Sequence, residues 1–176
     1  MTKLKTVLLS LMVLYGIGAL AVNATPAMPK PLAAEKAAKA APAMVFADVG
    51  GVRHSLKDYR GRYVLLNMWA TWCAPCVAEL PALTRLKAAV PDMTVLAVDL
   101  TGHKETPAMA EAFLKEHRAA ALGAHVDTQT MFMRGFTVAV MPTTVLIDPK
   151  GKVIARAEGP AEWASTASIA YFKSLK

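Results

Sequence analysis

The sequence predicts an α/β domain in which a central mixed β-sheet is flanked by helices, and three observations carry that prediction. Two uninterrupted apolar runs, Tyr63–Met68 (YVLLNM) and Thr94–Asp99 (TVLAVD), read as strands, because a strand covered on both faces needs no polar alternation. Each is followed by a stretch with helical spacing, the alternation that produces parallel strands with crossover helices. Thr143–Asp148 and Lys152–Ala157 are joined by Asp148-Pro149-Lys150-Gly151, a hairpin signal that adds antiparallel strands to the same sheet.

In chain order, Met44–Val49 is a short strand before a Gly50-Gly51 turn and a second extended piece. Ser55–Tyr59 is one helical turn with Ser55 as its cap. From Cys76 to Val90, the residues Val77, Leu80, Leu83, Leu86 and Val90 fall near one helical face, and Pro81 predicts a kink. Pro107–His117 is a helix with Thr106 as N-cap and Pro107 in the first position. Thr128–Arg134 is a short helix ended by Gly135, and Glu162–Leu175 closes the chain as a helix offering Trp163, Ile169 and Phe172 for packing. No internal repeat is visible.

The 176 residues suit one domain plus some extra sequence, and 55% hydrophobic residues exclude wholesale disorder. The net charge is +7, with Lys3 and Lys5 at the extreme N-terminus and no run of five or more like charges elsewhere. A nucleic-acid-binding face needs clustered cations, so no nucleic-acid partner is expected.

After Lys3 and Lys5, Thr6–Val22 is a 17-residue stretch without charge, ending in Val22-Asn23-Ala24. A positive start, an apolar run and a small residue before a cut site form the layout of a secretory signal. A membrane span needs about 20 apolar residues, so the run also suffices at its lower limit for an uncleaved anchor. Residues 1–24 are therefore expected to be a signal peptide or an N-terminal anchor. The protein is expected to be periplasmic, either soluble after cleavage near Ala24 or tethered to the inner membrane through residues 6–22. Residues 25–43 carry Pro26, Pro29, Pro31 and Pro42 around an Ala/Lys-rich centre. That composition predicts a semi-rigid linker, polyproline-like at its ends and helical over Ala33–Ala41. Residues 44–176 are then the folded domain.

The chain has two cysteines, in Cys73-Ala74-Pro75-Cys76. Stapled secreted domains carry more, and a tetrahedral zinc site needs two further ligands. A disulfide across two residues closes too small a loop to be an effective staple. At the start of a helix, however, the pair forms a reversible disulfide. Unsatisfied N–H groups and the helix dipole favour a thiolate at Cys73, whose pKa in such a setting falls from about 8.5 into the range of roughly 3.5–7.5. Cys73 is then the attacking thiol and Cys76 the resolving one. Pro75 presets a helical φ and lacks an N–H that would otherwise be orphaned. Two thiolates with Met68, Met131, Met133 or Met141 could hold Cu(I), but His103, His117 and His125 show no pairing with the cysteines. No metal and no cofactor beyond the cysteine pair is expected.

The stretch SLKDYRGRYVLLNMWATWCAPC with the following VAELPAL, and MPTTVLIDPKGKVIARAEG some 65 residues later, resemble the thioredoxin superfamily in its TlpA/ResA-like extracytoplasmic branch. The resemblance covers about residues 44–176. It implies a thioredoxin-like fold, with the site at the end of strand Tyr63–Met68. It also implies a cis Pro142 against the cysteine pair, with the backbone at Met141 free to pair with a substrate segment. Trp72 and Trp69 resemble aromatic residues that help form a docking surface, although simple packing explains Trp69 equally well. Two features depart from the pattern. Asn67 stands where cytoplasmic thioredoxins carry a buried Asp, and it cannot accept a proton. Ala74 and Pro75 stand between the cysteines, where some branch members place a Glu. The nearest candidate acid is Glu79, whose ordinary reading is a solvated residue near a helix start.

The resemblance implies a thiol–disulfide oxidoreductase, specifically a dithiol reductant recharged by a membrane thiol–disulfide electron donor. Its expected partners are protein substrates with disulfides, of the apocytochrome c maturation or copper-site assembly type. A dithiol oxidant would need a strongly depressed Cys73 pKa and usually a large helical insertion, for which no segment is long enough. A peroxidase would need a P-x-x-x-T/S-x-x-C loop, and Leu66 stands where that proline would be. The remaining alternatives are a dithiol oxidant that inserts disulfides and a non-enzymatic copper-delivery protein.

Overall fold

The computed structural model describes residues 26–175. The expected leader or anchor, residues 1–24, lies outside the described residues. Among those described, no helix is long and apolar enough to cross a membrane.

Eight strands form one sheet in the order β1-β8-β7-β4-β5-β6-β2-β3. Its centre is the pair read most directly from the sequence, β4 (Val64–Trp69) and β5 (Thr94–Asp99), which run parallel from Val64–Thr94 to Trp69–Asp99. On the other side of β4 lies β7 (Thr143–Ile147), antiparallel, and β8 (Lys152–Glu158) follows it as a hairpin. The hairpin turn is set by Asp148, whose Oδ1 accepts the N–H groups of Lys150 and Lys152 at 2.9 and 2.8 Å. Gly151 takes a left-handed φ of 77° there, a conformation that needs glycine.

The crossover from β4 to β5 is α1 (Ala74–Ala89), which begins two residues earlier than the spacing predicts and runs on through Pro81. Next come α2 (Pro107–Glu116), α3 (Phe132–Gly135) and α4 (Thr166–Ser174). Thr106 caps α2 as expected, accepting the Met109 N–H at 3.2 Å. The final helix starts four residues late, because the Ser165 side chain accepts the Ser168 N–H and makes Ser165 the N-cap. Ser55 and Asp58 form the two halves of a capping box at the short turn Leu56–Tyr59.

Period-two alternation divides the core. Leu65 and Trp69 of β4 pack on the face that carries Leu80, Leu83 and Leu86 of α1, Leu114 of α2 and Phe172 of α4. Val64, Leu66 and Met68 pack on the other face with Phe46, Phe132 and Phe136. Leu83 is fully buried. Leu83→Ala is therefore expected to lower stability by about 2–5 kcal/mol, read from the denaturant midpoint.

The expected linker differs most from the reading. Ala33–Ala40 is not helical and not a free spacer. It is β1, antiparallel to β8, with Ala33 opposite Arg156 and Ala40 opposite Lys152. All eight of its side chains are exposed, and the register shifts between Ala34 and Lys39. Backbone pairing to an open strand edge has overridden the helix preference of Ala, Lys and Glu. Strands β2 (Val45–Asp48), β3 (Arg53–Ser55) and the two-residue β6 (His125–Val126) complete the opposite edge.

Candidate active site

Strand β4 delivers the chain to the cysteines. After Trp69 come three residues, then Cys73 as the N-cap of α1 with Pro75 in its first turn. The Cys73 N–H donates to Ala70 O at 3.1 Å, and Cys73 O accepts the Val77 N–H at 3.1 Å. Cys73 and Cys76 are joined in a disulfide, with Cα atoms 5.3 Å apart. Cys76 is fully buried, and Cys73 keeps 6% of its surface exposed. Ala74 is exposed beside them. Trp72 is 64% exposed, whereas Trp69 is core, 5.7 Å from the Phe113 ring. Packing therefore accounts for Trp69.

The Met141–Pro142 peptide is cis. The β4–β7 ladder ends at Met68–Thr143, which places Pro142 where β4 gives way to the cysteine turn. Pro142 O accepts the Gly159 N–H at 2.8 Å. Met141 is half-buried against both halves of the core, one of which contains the two cysteines. The loop before it is held by Arg156, which donates to the carbonyls of Phe136 and Thr137 at 2.8 and 3.0 Å. Nothing in the local sequence marks Arg156 for this task.

Glu79 is not solvated. It is 4% exposed, one helical turn past Cys76 and on the same side of α1. Its Oε1 accepts from Asn67 Nδ2 at 2.7 Å, and its Oε2 accepts the Ala161 N–H at 3.1 Å and Trp163 Nε1–H at 2.9 Å. Asn67 Nδ2 also donates to Thr144 Oγ1 at 2.9 Å, while Asn67 Oδ1 has no partner among the described residues. Burial pushes the Glu79 carboxyl above the usual glutamate range, and the three donors oppose that shift without cancelling it. Glu79 and Pro75 share a cleft of about 680 Å³ with Gly159, Pro160, Lys30 and Pro31.

Among the described residues, no group of three or more His, Cys, Asp or Glu side chains is placed to hold a metal ion.

The profile of the AhpC/TSA family matches residues 37–156. The chain belongs to the AhpC/TSA family. Its relatives put this AhpC/TSA protein in the TlpA/ResA-like branch. It is 34% identical over 123 residues to the thiol-disulfide oxidoreductase ResA of Bacillus cereus, covering 69% of each chain. To ResA of Geobacillus kaustophilus it is 34% identical over 115 residues, and the match spans 64% of either protein's length. Among solved structures, the thiol:disulfide interchange protein DsbE of Chlorobium tepidum superposes with a TM-score of 0.67 at 27% identity. The superposition covers 79% of this chain and 97% of that one. The fold of this AhpC/TSA protein is thioredoxin-like, as the resemblance implies.

Proposed function

We propose that the protein is an extracytoplasmic thiol–disulfide oxidoreductase that reduces disulfides of partner proteins through Cys73 and Cys76. One observation carries this reading: a disulfide links the N-cap of α1 to the first turn of the same helix, beside the strand end where cis Pro142 lies. A cysteine at that N-cap has its thiolate stabilised by the helix terminus.

In the reduced state, Cys73 thiolate attacks one sulfur of a partner disulfide and expels the other as thiolate, which takes up a proton. Cys76 then loses its proton and attacks Cys73 Sγ, which releases the partner's second thiol. The Cys73–Cys76 disulfide forms and two electrons pass to the partner. Glu79 is the proton acceptor in the second step: it is buried, lies a turn from Cys76, and burial has raised its proton affinity towards that of a useful base. Asn67 holds Glu79 in place rather than taking the proton. The exposed Trp72 and the backbone at Met141 form the docking rim for the partner segment.

Export is supported by the N-terminal Lys3 and Lys5 and the uncharged apolar run that follows them. The reductive direction, with a membrane thiol–disulfide donor recharging the pair, is what the resemblance to the TlpA/ResA-like branch implies. Apocytochrome c or copper-site cysteines are the proposed substrate class. The residues three and seven before Cys73 are Ala70 and Leu66, which do not support peroxidase chemistry. The test is the reduction potential of the pair, read by equilibration with glutathione or dithiothreitol. A value near about −270 mV is expected, and one near about −120 mV would replace the reductant with an oxidant.

A further inference from the structure

The three residues between β4 and Cys73 are held from the neighbouring strand. Asp99, fully buried, is the last residue of β5 and lies opposite Trp69 in the parallel ladder. Its Oδ1 accepts the Thr101 N–H at 2.7 Å and also the Thr101 hydroxyl. With its proton given to Asp99, Thr101 Oγ1 can only accept from other neighbours. It accepts the Thr71 N–H at 2.9 Å, and it lies 3.2 Å from Thr71 Oγ1, which must then be the donor. One residue earlier, the Leu100 N–H donates to Trp69 O at 2.8 Å. The exits of β4 and β5 are thus tied twice, first by backbone and then by a threonine side chain.

Among the described residues, Asp99 Oδ2 has no protein partner, and this carboxylate is bonded by Thr101 alone. A buried carboxylate with a free oxygen costs stability. What it supplies in return is the orientation of one hydroxyl, and that hydroxyl sets the direction of the chain two residues before Cys73.

We propose that Thr101, oriented by Asp99, is a positioning residue for disulfide exchange: by holding the Thr71 amide it fixes the turn that presents Trp72 and Cys73. The effect of a helix terminus on a neighbouring charge fades within one turn, so Cys73 keeps its thiolate stabilised only while it stays at the N-cap. A shift of about 1 Å at an attacking atom can lower its rate by up to roughly a hundredfold. The proposal rests on the oxidoreductase reading for its meaning, but its first readout does not.

That readout is the alkylation of Cys73 by iodoacetamide across pH, in full-length protein carrying Cys76→Ala. Adding Thr101→Val is expected to move the alkylation midpoint upward and to slow alkylation at neutral pH about fivefold. Thr101→Ser, which keeps the hydroxyl, is expected to restore the rate to within about twofold. Asp99→Asn retains an acceptor for Thr101 and is expected to lose less than Thr101→Val. Thr101→Ala serves as the second truncation if the valine variant folds poorly. With both cysteines present, Thr101→Val is expected to lower kcat/KM for insulin disulfide reduction about tenfold. The proposal is overturned if Thr101→Val lowers Tm but leaves the alkylation profile unchanged, or if Thr101→Ser fails to rescue. Wild-type protein that reduces no insulin would count against the oxidoreductase reading alone, and the alkylation series would still decide the role of Thr101.

Discussion

Cys76→Ala is expected to stop the protein at a mixed disulfide with its partner, carried on Cys73. The geometry gives the two thiols unequal access: Cys73 keeps some exposed surface at the N-cap, whereas Cys76 has none. An incoming disulfide therefore meets Cys73 first. Removing Cys76 leaves the covalent intermediate without its resolving thiol, so turnover with a protein disulfide falls by on the order of a thousandfold or more. Non-reducing gels followed by mass spectrometry should then show partner proteins attached through Cys73. Cys73→Ala should trap nothing. Equal trapping by both variants would reverse the assignment of attacking and resolving thiol.

Glu79→Gln is expected to separate the chemical role of this carboxylate from its structural one. Glu79 accepts from three donors, and a glutamine has only one oxygen to offer. Asn67 can absorb the change. Among the described residues its Oδ1 has no protein partner, so an amide flip turns that oxygen towards the new side-chain NH₂ and towards the Thr144 hydroxyl, which then donates, while the amide oxygen of the introduced glutamine keeps Ala161 and Trp163. The fold should survive, and kcat should fall about a hundredfold as the proton acceptor is lost. Stability changes in the opposite sense. Burial raises the folded-state pKa of Glu79 above its ordinary 4.5. The favourable protonated form is fully present below that value, and its contribution disappears as pH rises through the folded pKa. Wild-type protein should therefore lose stability over that interval, and Glu79→Gln should flatten the loss. Urea midpoints at several pH values check the slope, and an unchanged slope would place the titration elsewhere.

These two residues show what local sequence reports. Cys73 announces itself because its neighbours in the chain, Pro75 and the helical spacing after it, are its physical setting. Glu79 does not. Its partners Ala161 and Trp163 lie 82 and 84 residues away, so local spacing offered only the helix-start explanation. Thr101 and Arg156 escape the same way, since each acts on a loop 19 to 30 residues distant through a side-chain hydrogen bond. The strands Val64–Trp69 and Thr94–Asp99 were legible because burial on both faces writes itself as an unbroken apolar run. β1 was illegible for the opposite reason: with no side chain buried, it leaves no hydrophobic pattern to read. The two-residue β6 is too short to carry a period.

β1 also decides where the chain enters the domain. Had Ala33–Ala40 been a free tether, its eight residues would have added roughly 25 Å of slack and allowed the domain to tumble. Locked to β8, they add no reach. Because β1 runs against β8, its first residue lies at the Arg156–Glu158 end, where Gly159 bonds to Pro142, and not at the hairpin end. Just upstream, Lys30 and Pro31 form part of the wall of the cleft that holds Pro75 and Glu79. The chain therefore enters the folded domain along the wall of the cleft that holds Pro75 and Glu79, at the same end as the cis Pro142.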